Sequence, residues 1–165
     1  MPGEEDFYDL TISKINAEVS TAGNITVNNN LTVKPGAYFT NATGNDLSVA
    51  GDLHLEASET SMASFIDEGN TTVAGNAIVE QYLAYDALAG YQNHLVSSPI
   101  SNATLNTYYD LYFYAYDEAG TDGSYWDNIY EPLDFPLAVG QGYNATGSQY
   151  YTGTTTCLLY TSPSP

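Results

Sequence analysis

Five aromatic residues in the second half of the sequence have types and spacing suited to sugar binding. Tyr112, Tyr114 and Tyr116 alternate along one expected strand, and Tyr125 and Trp126 follow after a turn. The faces of pyranose rings stack on Tyr and Trp side chains in carbohydrate-binding sites. These five side chains are therefore the candidate platform for carbohydrate binding. The alternative is that they pack in a core or in cross-strand pairs, for which the same pattern is typical.

Four acidic residues within eleven positions of a glycine-containing turn form a candidate calcium site. They are Asp117, Glu118, Asp122 and Asp127. Carboxylate oxygens are the ligands that Ca²⁺ takes in proteins, although this spacing is not that of an EF-hand loop. The alternative is a set of solvated turn carboxylates, because Asp and Gly are also ordinary turn formers. Calcium is the one cofactor that the sequence suggests.

The sequence contains no arrangement of residues that is typical of a catalytic site. Polysaccharide lyases built on β-helices need a basic catalytic group and cations that offset uronate charges, but the chain has 2 Lys and no Arg. His54 and His94 are isolated in the sequence and lack the Cys partners of a transition-metal site. We therefore expect a protein that is not an enzyme and has no catalytic residue.

Acidic residues dominate the charge, with 20 Asp and Glu against 2 Lys and a formal net charge of -18. Binding to nucleic acid or to anionic lipid requires cationic side chains. No stretch of the sequence approaches the roughly 18 apolar residues of a membrane-spanning helix. We therefore expect neither nucleic-acid binding nor membrane insertion.

Three nine-residue segments in the first half of the chain repeat one pattern. They begin at Ile25, Leu47 and Thr71, so that their starts are 22 and 24 residues apart. Each has apolar or β-branched residues at positions 1, 3, 7 and 9 around a small or polar corner at positions 4 to 6. A fixed period in the low twenties indicates a solenoid, whose coils complete their core by stacking on one another. A meander of antiparallel hairpins has the same local pattern and is the alternative.

The solenoid interpretation predicts both strands and core residues. Residues 37–40 and 62–66 are each expected to form a third strand of a coil, and residues 10–12 a strand before the first repeat. Alternation of side chains along the strands then decides which residues face inward. These are Val27, Leu31, Val33, Leu47, Val49, Leu53, Leu55, Phe65, Val73 and Val79.

The composition changes near residue 80, after which most of the Tyr residues occur. The run at 111–116 carries large side chains on both faces, which suits the middle of a β-sandwich. The predicted fold is therefore all-β, with a short parallel β-solenoid (β-helix) over residues 1–80 and an antiparallel β-sandwich-like module over residues 81–156.

Five segments occur in the order seen in a group of secreted surface proteins. They are IVEQYL (78–83), YQNHLVSSPI (91–100), LYFYAYDE (111–118), YW (125–126) and GQGY (140–143). Over roughly residues 8–153 the chain resembles large Bacteroidota proteins that combine degenerate β-solenoid repeats with such motifs and end in a type IX secretion sorting domain. The chain departs from their pattern at Asn93, where an aromatic residue is common, and at Gln141, where Lys is usual.

The resemblance implies an internal fragment of a protein on the outer cell surface or in the extracellular medium, with the leader and the sorting domain outside this sequence. It implies a non-catalytic structural or adhesive module, with extracellular glycans or other surface proteins as its partners. The alternative is a carbohydrate-binding module attached to a polysaccharide-degrading enzyme. A catalytic domain elsewhere in the full-length gene would distinguish the second function from the first.

The last nine residues, CLLYTSPSP at positions 157–165, resemble the in-frame translation of a transposase adapter used in DNA sequencing libraries. Such a segment has to be left out of inferences about the natural fold. The alternative is a natural tail rich in Ser and Pro.

We expect genomic DNA from the source organism, amplified across codon 157, to continue into different codons after Thr156. Amplification across an upstream codon, such as that of Trp126, should reproduce the present sequence and serves as the control. Genomic DNA that encodes Cys157 to Pro165 unchanged would contradict the adapter origin.

Overall fold

The structure is a computed structural model of the 165-residue chain. Two compact units are present, one of residues 1–82 with 160–165 and one of residues 83–159. The described residues are 4–83, 93–98, 103–108, 111–116, 125–129, 134–138, 140–147 and, for the backbone, 155–161.

The strands of the first unit are short, mostly of three or four residues. They are β1 (Glu5–Phe7), β2 (Leu10–Ile12), β3 (Glu18–Ser20), β4 (Ile25–Val27), β5 (Leu31–Val33), β6 (Tyr38–Asn41), β7 (Asp46–Val49), β8 (Leu53–Leu55), β9 (Ser64–Asp67), β10 (Asn70–Val73) and β11 (Ala77–Leu83). They form three sheets whose orders are β1-β4-β7-β10, β2-β5-β8-β11 and β3-β6-β9. Within the described residues these eleven strands pair in parallel, so this unit is a parallel β-solenoid of about three turns.

The strand register confirms the sequence repeat. Ile25 lies opposite Leu47, which in turn lies opposite Thr71, and Val33 pairs with Leu55 and Leu55 with Val79 in the same way. The offsets between paired residues are therefore the spacings of the repeat. Because the pairing is parallel, the meander of antiparallel hairpins is wrong for this unit.

The apolar positions of successive coils meet in one continuous core. Six of the ten residues predicted to face inward are buried, whereas Leu55, Phe65 and Val73 are partly buried against them and Val79 is half-buried. The rings of Phe39 and Phe65 stack with their centroids 5.7 Å apart. The buried residues are Ile12, Val27, Leu31, Val33, Ala37, Phe39, Leu47, Val49 and Leu53.

A ladder of Asp and Asn side chains closes one corner of each coil. Asp9 Oδ1 accepts the backbone N–H of Asn30 at 3.1 Å, Asn30 Oδ1 accepts that of Asp52 at 2.9 Å, and Asp52 Oδ1 accepts that of Asn76 at 2.7 Å. In the opposite direction, the carbonyl of Asp52 accepts the N–H of Leu31 at 2.9 Å. The corner ladder therefore provides hydrogen-bond partners for backbone groups at the turn, which cannot pair within a sheet.

Asn41 makes hydrogen bonds at a second corner, from inside the solenoid. The side chain is fully buried; its Oδ1 accepts a hydrogen bond from Thr21 Oγ1 at 3.3 Å, and its Nδ2 donates to Asp67 Oδ1 at 3.0 Å and to Thr71 Oγ1 at 3.1 Å. A buried amide without such partners would be destabilising. This network therefore ties three successive coils together through one side chain.

The described part of the second unit contains one antiparallel sheet. Its strands are β12 (Asn93–Ser97), β13 (Leu111–Tyr116), β14 (Trp126–Asn128) and β15 (Gly142–Gly147), in the order β12-β15-β13-β14. A short 3-10 helix, η1 (Leu105–Tyr108), supplies a side chain that packs on one face. Together the two units confirm the predicted all-β fold of a parallel solenoid followed by an antiparallel module.

The last described strand, β16 (Thr155–Thr161), lies next to β11 in the order of the second solenoid sheet. It includes five residues of the segment that resembles adapter sequence. The adapter origin stays a prediction, and no functional inference below depends on this strand.

We expect Gly51→Ala to destabilise the solenoid by about 1–3 kcal/mol, as overpacking does. A Cβ atom at this position would lie 2.5 Å from Asn30 Oδ1 and 2.6 Å from the carbonyl oxygen of Asn29, which is backbone and cannot rotate away. Chemical unfolding followed by circular dichroism measures the change. Gly142→Ala is the control, because a Cβ there meets nothing within 4 Å. Equal stability of the two variants would contradict the close packing of the corner.

Candidate functional site

The strand β13 separates its side chains onto two faces of the antiparallel sheet. On the inner face, Phe113 is buried between the rings of Tyr108 and Tyr143, with centroid distances of 4.8 and 5.1 Å. On the outer face, Tyr112 and Tyr116 are 40% and 47% exposed. Alternation along a strand explains this division. The predicted separation of Phe113 from the Tyr residues of the run is thus observed.

The strand β14 brings two more of the predicted aromatic residues to Tyr116. The Tyr116 ring lies 5.2 Å from that of Trp126, at an interplanar angle of 61°, and 6.3 Å from that of Tyr125, at 30°. Tyr125 is 50% and Trp126 is 39% exposed. The aromatic surface is therefore exposed and stepped, since its rings do not share one plane.

Tyr114 occupies the middle of this outer face. It is half-buried and lies opposite Asn144 of β15 on one side and Asn128 of β14 on the other. Leu95 of β12 lies opposite Asn144 and is exposed. We call the outer surface formed by Tyr112, Tyr114, Tyr116, Tyr125 and Trp126 the aromatic face. Four of the five candidate side chains therefore lie on strands of one sheet, and Tyr125 directly precedes β14.

Polar groups border the aromatic face beside Tyr112. Tyr112 lies opposite Thr146, which lies opposite Asn93. Asn93 Oδ1 accepts hydrogen bonds from Thr146 Oγ1 at 2.6 Å and from Asn144 Nδ2 at 3.2 Å. Both bonds use the Asn93 oxygen, and Asn93 is exposed, so its amide N–H groups are the donors that a ligand at this border would meet. Sugar hydroxyl groups accept such hydrogen bonds.

The sequence did not indicate these polar groups. Asn93 and Thr146 are 53 positions apart, and neither belongs to a motif with a chemical signature. The one pattern in the sequence that bears on these polar groups is the alternation of side chains along a strand, which places Asn93, Leu95 and Ser97 on one side. Pairing of β12 with β15 is what brings Asn93 and Thr146 together.

The predicted calcium site falls largely outside the described residues. Asp117, Glu118 and Asp122 are among the residues that the structure does not describe, and Asp127 lies exposed in β14 opposite Ala115. Within the described ranges, no group of three or more His, Cys, Asp and Glu side chains is arranged to hold a metal ion. The calcium site therefore stays a prediction.

One ion pair and one histidine–carboxylate hydrogen bond link neighbouring coils of the solenoid. His54 Nε2 lies 2.7 Å from Glu80 Oε1, while the other carboxylate oxygen of Glu80 accepts the N–H of Ala57 at 3.0 Å. Lys34 Nζ pairs with Glu56 at 2.5 Å. His54 therefore has a structural partner one coil away, and the register explains why the two residues meet.

Comparison of the chain with protein-family models, with curated proteins and with solved structures gives no match. Among the described residues, no helix has the length and apolar character needed to cross a membrane. The aromatic face is therefore the feature from which a function can be argued.

We expect Phe113→Ala to destabilise the second unit by about 3–5 kcal/mol, because it removes a buried ring from a stack of three. Tyr112→Ala, on the same strand, should cost at most about 1 kcal/mol, because that residue is 40% exposed and lies on the other face of the sheet from the buried stack. Thermal unfolding followed by near-ultraviolet circular dichroism compares the two variants. A larger loss for Tyr112→Ala would show that the outer rings hold the sheet together.

Proposed function

We propose that this chain is a non-catalytic, extracellular adhesive module in which the antiparallel sheet binds glycans and the solenoid serves as a spacer. The observation that carries the proposal is the exposure of Tyr112, Tyr116, Tyr125 and Trp126 on one face of the sheet. Large aromatic side chains of a single folded unit usually enter its core. A face on which four of them are 39–50% exposed fits a surface that binds a ligand.

The chemistry of the aromatic face fits sugars. The C–H-rich face of a pyranose packs against Tyr and Trp rings, while its hydroxyl groups need hydrogen-bond partners at the edge. Asn93, which lies at the level of Tyr112 but two strands away, would supply such a partner. The face thus pairs apolar rings with a polar border, as an amphipathic ligand requires.

The way in which the coils are joined supports a role of the solenoid as a spacer. Its coils are joined by parallel backbone ladders and by the corner ladder, so that each coil is fixed to the next. Repeat units of this kind contact their neighbours only and form extended, quasi-one-dimensional structures. A spacer of this type would hold a binding module away from the surface to which the protein is attached.

Location at the outer cell surface or in the medium belongs to the same proposal. The order of five segments that resembles secreted Bacteroidota proteins supports it. A carbohydrate-binding module attached to a polysaccharide-degrading enzyme is the second candidate, and the exposed aromatic face favours it equally. The two candidates differ in what the rest of the protein does.

Trp126→Ala should abolish glycan binding on an array or reduce it by at least about tenfold, because it removes one exposed stacking ring. Tyr8→Ala is the matched control: Tyr8 is 72% exposed but lies on the solenoid, so its loss should leave binding unchanged. Circular dichroism and the melting temperature verify that both variants fold. Absence of binding to any arrayed glycan, or equal loss in both variants, would refute the proposed function.

A further inference from the structure

We infer that the aromatic face binds an uncharged polysaccharide chain that runs along β13 and engages several sugar units at once. The inference rests on the proposed function and adds to it the charge and the minimum length of the ligand. Charge distribution, ring geometry and the position of the polar border each bear on it.

Charge excludes acidic glycans. Both Lys residues of the chain, Lys14 and Lys34, belong to the solenoid unit, so residues 83–159 contain no Lys or Arg to neutralise a uronate or a sulfate. With a formal net charge of -18, the protein also repels anions. This repulsion extends over a Debye length of about 8–10 Å at physiological ionic strength, which covers a ligand seated on the sheet.

Ring geometry requires more than one sugar unit. Tyr116 and Trp126 have ring planes at 61°, so a single pyranose cannot stack on both. Tyr112 stands four residues from Tyr116 on the same strand, which at the rise of a β-strand is about 13 Å. That span exceeds the width of one sugar ring. Contact with both ends of the aromatic face therefore needs an oligosaccharide.

The polar border lies at the end of β13 toward which a polysaccharide bound at Trp126 would run. Asn93 and Thr146 lie level with Tyr112, at the opposite end of β13 from Trp126. A polysaccharide that stacks on Trp126 and continues along β13 reaches Tyr112, and Asn93 lies two strands to the side of Tyr112, about 10 Å away. The Tyr112 end should therefore contribute to the binding of long ligands and not of short ones.

Calorimetric titration of the full chain with neutral disaccharides and hexasaccharides of β-1,4-linked glucose, mannose and xylose, and with a hexagalacturonate, tests the inference. For the neutral sugar that binds, we expect an affinity at least about tenfold higher for the hexasaccharide than for the disaccharide. Hexagalacturonate should not bind. Affinity for the neutral ligand should not change between low and near-molar NaCl, because no ion pair contributes to it.

Two variants locate the ligand. Tyr112→Ala should lower hexasaccharide affinity about tenfold and leave the disaccharide unaffected, whereas Trp126→Ala should weaken both. Tyr8→Ala on the solenoid is the control, with no expected effect on either ligand.

The contrary outcomes separate this inference from the proposed function. Equal affinity for disaccharide and hexasaccharide, or binding of hexagalacturonate as tight as that of a neutral sugar, overturns the inference and leaves glycan binding standing. Failure of every neutral ligand and of the glycan array overturns both. A dimer in sedimentation velocity that Trp126→Ala dissociates would show that a second copy covers the face, which also overturns both.

Discussion

The corner ladder of the solenoid is the constraint on which the first unit depends. Each coil is too thin to bury its own apolar residues, so the core exists only where successive coils stack in register. At the corner, Asn30 Oδ1 accepts the N–H of Asp52 while the carbonyl of Asp52 accepts the N–H of Leu31, which joins two coils in both directions. Short Asp and Asn side chains are needed for this geometry. The abundance of these residues, and part of the negative charge, therefore follow from the way in which the fold closes its turns.

The solenoid could be predicted from the sequence because its period is also its strand register. Spacings of 22 and 24 residues between repeat starts place Val27, Val49 and Val73 in one column, and these residues do pair across the sheet. The third strands were predicted within one or two residues of β6 and β9. The buried Asn41 could not be predicted, because its partners Thr21, Asp67 and Thr71 lie 20, 26 and 30 positions away and follow no single period.

The aromatic face could be predicted only in part. Alternation along residues 111–116 separates Phe113 from Tyr112 and Tyr116, since a strand presents successive residues to opposite sides. That pattern does not show which face of the sheet is buried, because both faces carry aromatic rings. Coverage of the inner face comes from Tyr108 and Tyr143, which lie on different elements. The polar border beside Tyr112 was not predictable for the same reason, as Asn93 and Thr146 meet through strand pairing alone.

In the proposed adhesive function, the exposed aromatic rings would bind the ligand and the solenoid would act as the spacer. A face with a few stacking rings and one polar border offers a small contact, and contacts of this size give modest affinity per site. Copies held at one surface would raise the overall avidity without any new contact, provided that their faces point away from the attachment surface and do not bind one another. A net charge of -18 opposes association between copies. Acidity would thus leave the aromatic face open to an uncharged ligand, which the same charge does not repel.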